Sequence, residues 1–284
     1  MTFTVIDAGL QTLIQDLGRP GLSSMGVSRS GAFDRRSLRQ GNALVGNDAA
    51  AAGLEILTGR VDLRADTDHV IALTGATGGA TVDGDPVAHG RALVIHAGQR
   101  LVSARTVTGI RTYLSVAGGI LAEQVLGSSS TDTLSGLGPA PIRSGDVLDI
   151  GATRGHGADE DIPSLLPSGE LTLRVSQGPR DDWFTPETVR QFLNATWIVD
   201  SAAGRVGIRL DGPVIARVRD DELPSEPCLR GSIQITSEGQ PIVFGPDHPV
   251  TGGYPVIAVI HDADTDLLGQ ARPGQAIRFF LRLH

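Results

Sequence analysis

Lysine is missing from all 284 residues: the 24 basic side chains are all arginine. That absence excludes a P-loop lysine, a Schiff-base lysine and a biotinyl-lysine carrier site within this chain. Cysteine is nearly absent too. The single Cys228 cannot form an internal disulfide, and no Cys-X-X-Cys or paired histidines stand at zinc spacing. Aromatic residues make up 4%, too few for a base-stacking platform. Basic residues fall short of the 32 acids, giving a formal net charge of −8. No broad basic field for nucleic acid is expected. No apolar run approaches the ~18 residues of a membrane span, and the first residues show no basic stretch followed by an apolar one. The expectation is a cytoplasmic protein with no metal, no nucleic acid and no membrane among its partners.

What the chain has in quantity is glycine, 37 residues, with 16 prolines. They punctuate many short apolar runs, which predicts a mainly β fold with a few short helices. Strands are expected at Phe3–Ile6, Leu10–Ile14, Val70–Thr74, Ala92–His96 and Arg111–Val116. In the second half they are expected at Leu171–Val175, Thr196–Val199, Ser232–Thr236, Ile242–Phe244, Pro255–Ile260 and Gln275–Leu283. In the last, Ile277, Phe279 and Leu281 alternate with Arg278 and Arg282, the pattern of a half-buried strand. Asp34 is placed to cap a helix reaching about Val45, and Asp48 a short one through Ala52. Thr185-Pro186-Glu187 has cap, N1 proline and first-turn acid in order. A last short helix is expected at Asp266–Ala271. The aperiodic segment 156–169, rich in Gly, Pro and acids, reads as a linker between β-rich parts at 1–155 and 170–284.

Single motifs carry little chemistry. Gly75-Ala-Thr-Gly-Gly, Gly118-Gly119 and Gly252-Gly253 match neither GxGxxG nor a P-loop and read first as turns. Asp262-Ala-Asp-Thr-Asp266 begins like a calcium loop, but Leu267 stands at its glycine position. Ser30 lacks a GxSxG context. Three dense polar–glycine segments say more. One runs from Gln15-Asp-Leu-Gly-Arg-Pro-Gly21 to Gly26–Asp34. The second is Ser115-Val-Ala-Gly-Gly-Ile120 with Val125–Thr131. The third is Gly231–Ile235 with Glu238–Ile242, Asp247 and Thr251-Gly-Gly-Tyr-Pro255. Turns alone do not need Gln, Asp, Arg and Ser at that density, so function carried on loops is expected.

QDLGRPG, SGAFD, NALVGN, LEI, SVAGGI, VLGS, RVGIRLDGP, GSIQI, GQPIV and TGGYP, in this order over almost the whole chain, resemble the KipA-like family. That family comprises the C-type subunits of 5-oxoprolinases and is also called allophanate hydrolase subunit 2, or carboxyltransferase subdomains A and B. The resemblance implies a two-part, cyclophilin-like β-barrel architecture. It implies an obligate KipI-like partner and a further LamB/YcsF-type partner, in an ATP-dependent 5-oxoprolinase that opens 5-oxo-L-proline to L-glutamate. The same halves fused to biotin modules resemble the carboxyltransferase of urea carboxylase, with the biotin carried by another protein. A third implied role is a non-catalytic regulator that binds a kinase inhibitor. The chain departs from the family pattern at Thr236-Ser237, Pro249-Val250 and Ser225-Glu226-Pro227, all within or beside the third segment.

Lactam and biotin ureido ring both present a planar N–C(=O) unit. Phosphorylating the lactam oxygen abolishes amide resonance, and carboxyl transfer puts negative charge on the biotin oxygen. Either path calls for N–H donors, each worth about 3–4 kcal/mol. The Gly118-Gly119 and Gly252-Gly253 turns, beside Ser115, Thr251 and Tyr254, are the candidate donors. Gly252→Val is expected to cost activity while leaving the fold intact. Asp247, with His248 and Tyr254, is the candidate acid–base group. Arg19, Arg205 and Arg209 are candidate anion clamps, or else ion-pair partners of Asp16, Asp34 or Asp211. Asp16, Ser30, Gln234 and Gln240 complete the candidate binding set.

Overall fold

The computed structural model describes residues 1–153, 155, 157, 161–164, 166–219 and 221–282. Two compact units emerge. The first comprises Met1–Arg19, Ser30–Asp132 and Gly136–Leu166, and the second Pro20–Arg29, Thr133–Ser135 and Pro167–His284. Two short excursions from the first half of the chain thus count with the second unit. Of the expected linker, His156, residues 158–160 and Leu165 lie outside the described residues.

In the first unit, a seven-stranded sheet has the order Ile120–Leu121, Val147–Ile150, Thr2–Asp7, Val61–Ala65, Arg100–Ser103, Ala80–Val82, Asp85–Pro86. A five-stranded sheet has the order Gln11–Gln15, Gly53–Leu57, Thr108–Val116, His69–Thr77, Ala92–Ile95. Every pairing in both is antiparallel. Phe3, Val5, Leu63 and Leu101 of the larger sheet share one core with Leu54, Ile56, Leu73 and Leu114 of the smaller. Each such side chain contributes about 1.5–3 kcal/mol on full burial.

Helix α1 (Arg35–Leu44) covers the other face of the smaller sheet, with Leu38 against Tyr113 and Leu44 against Ala72. This is why Thr112–Val116 is buried on both faces and does not alternate. Asp34 caps α1 as expected, accepting from Ser37 N at 2.9 Å and Ser37 Oγ at 2.5 Å. The helix expected from Asp48 through Ala52 is instead a single turn, Ala51 N to Asp48 O at 2.9 Å. Asn42 Nδ2 takes the Ala51 carbonyl at 2.8 Å, and the strand Gly53–Leu57 starts two residues later, so no ladder can grow.

The second unit is a closed barrel of Leu171–Gln177, Val256–Ile260, Ser232–Ile235, Pro241–Phe244, Gly207–Asp211, Trp197–Val199 and Ala276–Leu281. Closure is made by the parallel pairing of the first and last, Leu173 opposite Phe279. The final strand alternates as read, with Ile277 and Phe279 buried and Arg278 exposed. Helix α2 (Pro186–Asn194) starts on the expected Thr185 cap, which accepts from Thr188 N at 3.1 Å. Its Phe192 stacks on Phe279 at 5.0 Å between centroids, and the Phe192 carbonyl accepts from Trp197 Nε1 at 3.0 Å. Helix α3 covers Asp264–Leu268, two residues earlier than expected. Ala263 already has helical dihedrals, while Gln270 and Ala271 continue only as turns to Leu267 and Leu268. The molecule is mainly β with short helices, and its barrel lies in the second unit.

Candidate functional site

Gln15–Arg19 and Ser30–Asp34 of the first polar segment meet the second segment within the first unit. Asp16 follows the strand Gln11–Gln15. Its carboxylate accepts from Gly18 N (2.7 Å), Ser128 Oγ (2.7 Å), Ser129 N (2.8 Å) and Ser130 Oγ (2.5 Å). Arg19, 1% exposed, donates to the carbonyls of Ser130 (2.5 Å) and Val125 (3.3 Å). Its Nη1 has no partner among the described residues. Gln15 Nε2 and Ser30 Oγ both donate to the Thr131 carbonyl, at 2.8 and 3.2 Å. Ser30 sits at φ +52°, left-handed backbone that costs a non-glycine residue about 1–3 kcal/mol. Asp16, Arg19 and Ser30 are therefore interior ties that lock QDLGRPG onto VLGSSST.

A second buried polar cluster joins the smaller sheet to α1. Glu55 Oε2 accepts from Phe33 N (2.8 Å) and the Tyr113 hydroxyl (2.7 Å), which itself accepts from Asp34 N at 2.7 Å. Arg111 Nε lies 3.3 Å from Glu55 Oε1, its guanidinium 4.5 Å from the Phe33 ring centroid. Burial, with the Glu55 charge adding to it, pushes the Tyr113 hydroxyl far above its ordinary value, so it stays a donor. Of these residues the sequence assigned a role only to Asp34; Glu55 and Phe33 stood within the LEI and SGAFD motifs with none. The signal for Glu55 was a lone acid between Leu54 and Ile56.

The Gly118-Gly119 turn corrects an expectation. Gly118 N donates to Asn47 Oδ1 at 2.8 Å and Gly119 N to Val116 O at 2.8 Å, so neither N–H is left for a substrate oxygen. Gly118 has φ +95°, and a Cβ there would lie 2.1 Å from the Gly151 carbonyl oxygen. Glycine is required by that close approach. Ser115, beside the turn, is fully buried under α1.

Third-segment residues lie in the second unit, in separate places. Arg205 and Asp247 form a fully buried fork, Nε to Oδ2 and Nη2 to Oδ1 both 2.8 Å. Asp247 Oδ2 also accepts from Thr133 N (2.9 Å) and Oγ1 (2.8 Å). A carboxylate so enclosed has no direction left for a substrate proton, so Asp247 reads as an anchor and Arg205 as its counter-ion. His248 stacks on Phe244 at 5.5 Å, its Nδ1 2.8 Å from the Pro249 carbonyl. Arg209 and Gln240 share a cavity of about 100 Å³ with Asp200, Asp211 and Glu238. Three acids around one arginine make a poor anion clamp.

Thr251-Gly252 pairs with Glu226-Pro227 over the barrel strand carrying Gln234. Gln234 Nε2 donates to Tyr254 O at 3.1 Å and lies 3.5 Å from Cys228 Sγ. Burial pushes the Cys228 thiol up, away from a reactive thiolate. A Cβ on Gly252 would lie 2.5 Å from Gln234 Nε2 and 3.2 Å from Cys228 Sγ. Gly252→Val therefore disturbs packing, contrary to the expectation of an intact fold. Gly253 and Tyr254, by contrast, line an open cavity of about 480 Å³ with Arg217, Glu222 and Ser237. Sequence reading missed Arg217 and Glu222, which sit in a loop without a motif.

The family model for the carboxyltransferase domain, subdomain A and B, matches residues 25–281. The chain is 40% identical to the C-type subunit of 5-oxoprolinase from Escherichia coli strain K12 over 279 residues, 97% of this chain and 89% of that protein. It is 31% identical to urea amidolyase of Saccharomyces cerevisiae, spanning 95% of this chain but 16% of the larger protein. On the crystal structure of K. lactis urea amidolyase it superposes with TM-score 0.92 at 29% identity, covering 99% of this chain and 19% of that one. With its sheets, barrel and motif clusters accounted for, the chain belongs to the carboxyltransferase domain, subdomain A and B, family.

Proposed function

We propose that this chain is the C-type subunit of an ATP-dependent 5-oxoprolinase, working with a KipI-like partner and a LamB/YcsF-type partner to open 5-oxo-L-proline to L-glutamate. The observation that carries this reading is the 40% identity over nearly the full length of both this chain and its E. coli relative. Lactam opening needs the carbonyl oxygen activated and water delivered to the carbon. The cavity at Gly253 and Tyr254 offers an open surface with polar residues for it. A triphosphate suits neither cavity described above: one holds a single arginine against three acids, the other a single arginine against Asp221 and Glu222. ATP belongs to the assembled complex. Among the described residues no helix is long and apolar enough to cross a membrane, and cytoplasmic placement goes with the reading.

A second reading, the carboxyltransferase half of a biotin-dependent urea or amide carboxylase, is favoured by the K. lactis superposition. Its biotin would reside on another protein, since this chain has no lysine. Glutamate analysis separates the two. Glutamate from 5-oxo-L-proline only when this chain and both partners are present supports the first reading. An intact lactam, with carboxybiotin consumed, supports the second.

A further inference from the structure

The cavity at Gly253 is lined by Arg217, whose chain neighbours are tied down by backbone hydrogen bonds. Arg217 lies between two anchored neighbours. Ile215 is buried at 1% exposure, with its N–H donating to Gly239 O at 3.0 Å, and Val218 N donates to Trp183 O at 2.9 Å. Nearby, Arg219 is already engaged, 3.2 Å from Asp182 and 5.8 Å from the Trp183 ring centroid. Arg217 itself makes no hydrogen bond or ion pair among the described residues, although Asp221 and Glu222 line the same cavity. Opposite charges lining one cavity, with no ion pair between them among the described residues, are suited to a ligand that bears both a negative group and an N–H donor. Ser237, Tyr254 and the Gly253 backbone supply neutral polar contacts. At about 480 Å³ the cavity falls within the roughly 300–1,000 Å³ typical of small-molecule sites.

We propose that this cavity binds a small carboxylate with an adjacent amide N–H, Arg217 forking onto the carboxylate and Asp221 or Glu222 accepting the N–H. This rests on the 5-oxoprolinase reading for its ligand, since 5-oxo-L-proline has that pattern, and adds the residues that select it. Backbone hydrogen bonds from Ile215 and Val218, on either side of Arg217, lower the ordering cost of binding.

Ligand-observed NMR on the full chain, alone and assembled with its partners, is the test, with 5-oxo-L-proline and the carboxylate-free lactam 2-pyrrolidinone as probes. Arg217→Ala is expected to weaken 5-oxo-L-proline at least tenfold and to change 2-pyrrolidinone less than threefold. Equal binding of 5-oxo-L-proline by wild type and R217A, or no binding in either setting, overturns the proposal. Turnover separates this from the parent reading. Glutamate formation by an R217A complex at unchanged KM sinks the cavity assignment and leaves the oxoprolinase standing. Arg217-dependent binding without glutamate formation does the reverse.

Discussion

Asp247 is fully buried and already holds an arginine fork and two donors from Thr133. Its loss therefore affects folding before it affects chemistry. Breaking a buried pair by neutralising one partner costs about 3–5 kcal/mol, so Asp247→Asn should lower the urea unfolding free energy by about that amount. An acid–base role predicts the opposite pattern, unchanged stability with lost turnover. Proximity in sequence to TGGYP suggested that role, and sequence has no access to which way the side chain points. Two histidines add a pH dependence. Burial lowers the proton affinity of His69, stacked on Phe3 at 4.4 Å, against the opposing pull of the Thr2 carbonyl. Burial does the same to His89. Each is held neutral, so the unfolded chain binds more protons once pH falls below about 6.5. Stability should therefore drop as pH goes from about 7.5 to about 5.5, and His69→Gln should flatten the drop. A urea midpoint that rises on acidification would contradict this.

At the scale of elements, the caps and the last barrel strand were legible because their signals are local. Asp34 and Thr185 each stand where a side-chain oxygen meets an N–H three residues on. Thr185→Ala should cost about 1 kcal/mol, read from a urea melt. The strand Gly53–Leu57 was missed because it is buried on nearly every residue and shows no period. Val61–Ala65 alternates cleanly but spans only five residues after a turn. Asp48 has a cap's identity without a helix to cap, because Asn42, distant enough to be invisible to a local reading, takes the carbonyl. Barrel closure depends on the Leu171–Gln177 and Ala276–Leu281 pairing and on Phe279 against Phe192. Phe279→Ala should destabilise the chain by about 3–5 kcal/mol, measured by urea or thermal melts.

For the whole molecule, family and fold class could be read because ten motifs recur in order along the chain. The placement of the site could not, because the motifs serve different ends. QDLGRPG and VLGSSST are spent on an interior lock, and Gly118-Gly119 on a tight turn. Only Gly253 and Tyr254 of the TGGYP turn reach the open cavity, where their charged companions come from a loop with no motif. The central claim, a 5-oxoprolinase component whose chemistry needs its partners, is tested most directly by ADP release. The chain is mixed with the proposed KipI-like and LamB/YcsF-type partners and ATP, with and without 5-oxo-L-proline. The account predicts ADP released only with the lactam present, matched by glutamate, and none when this chain is left out. Folded, associated components that release no lactam-dependent ADP would contradict it.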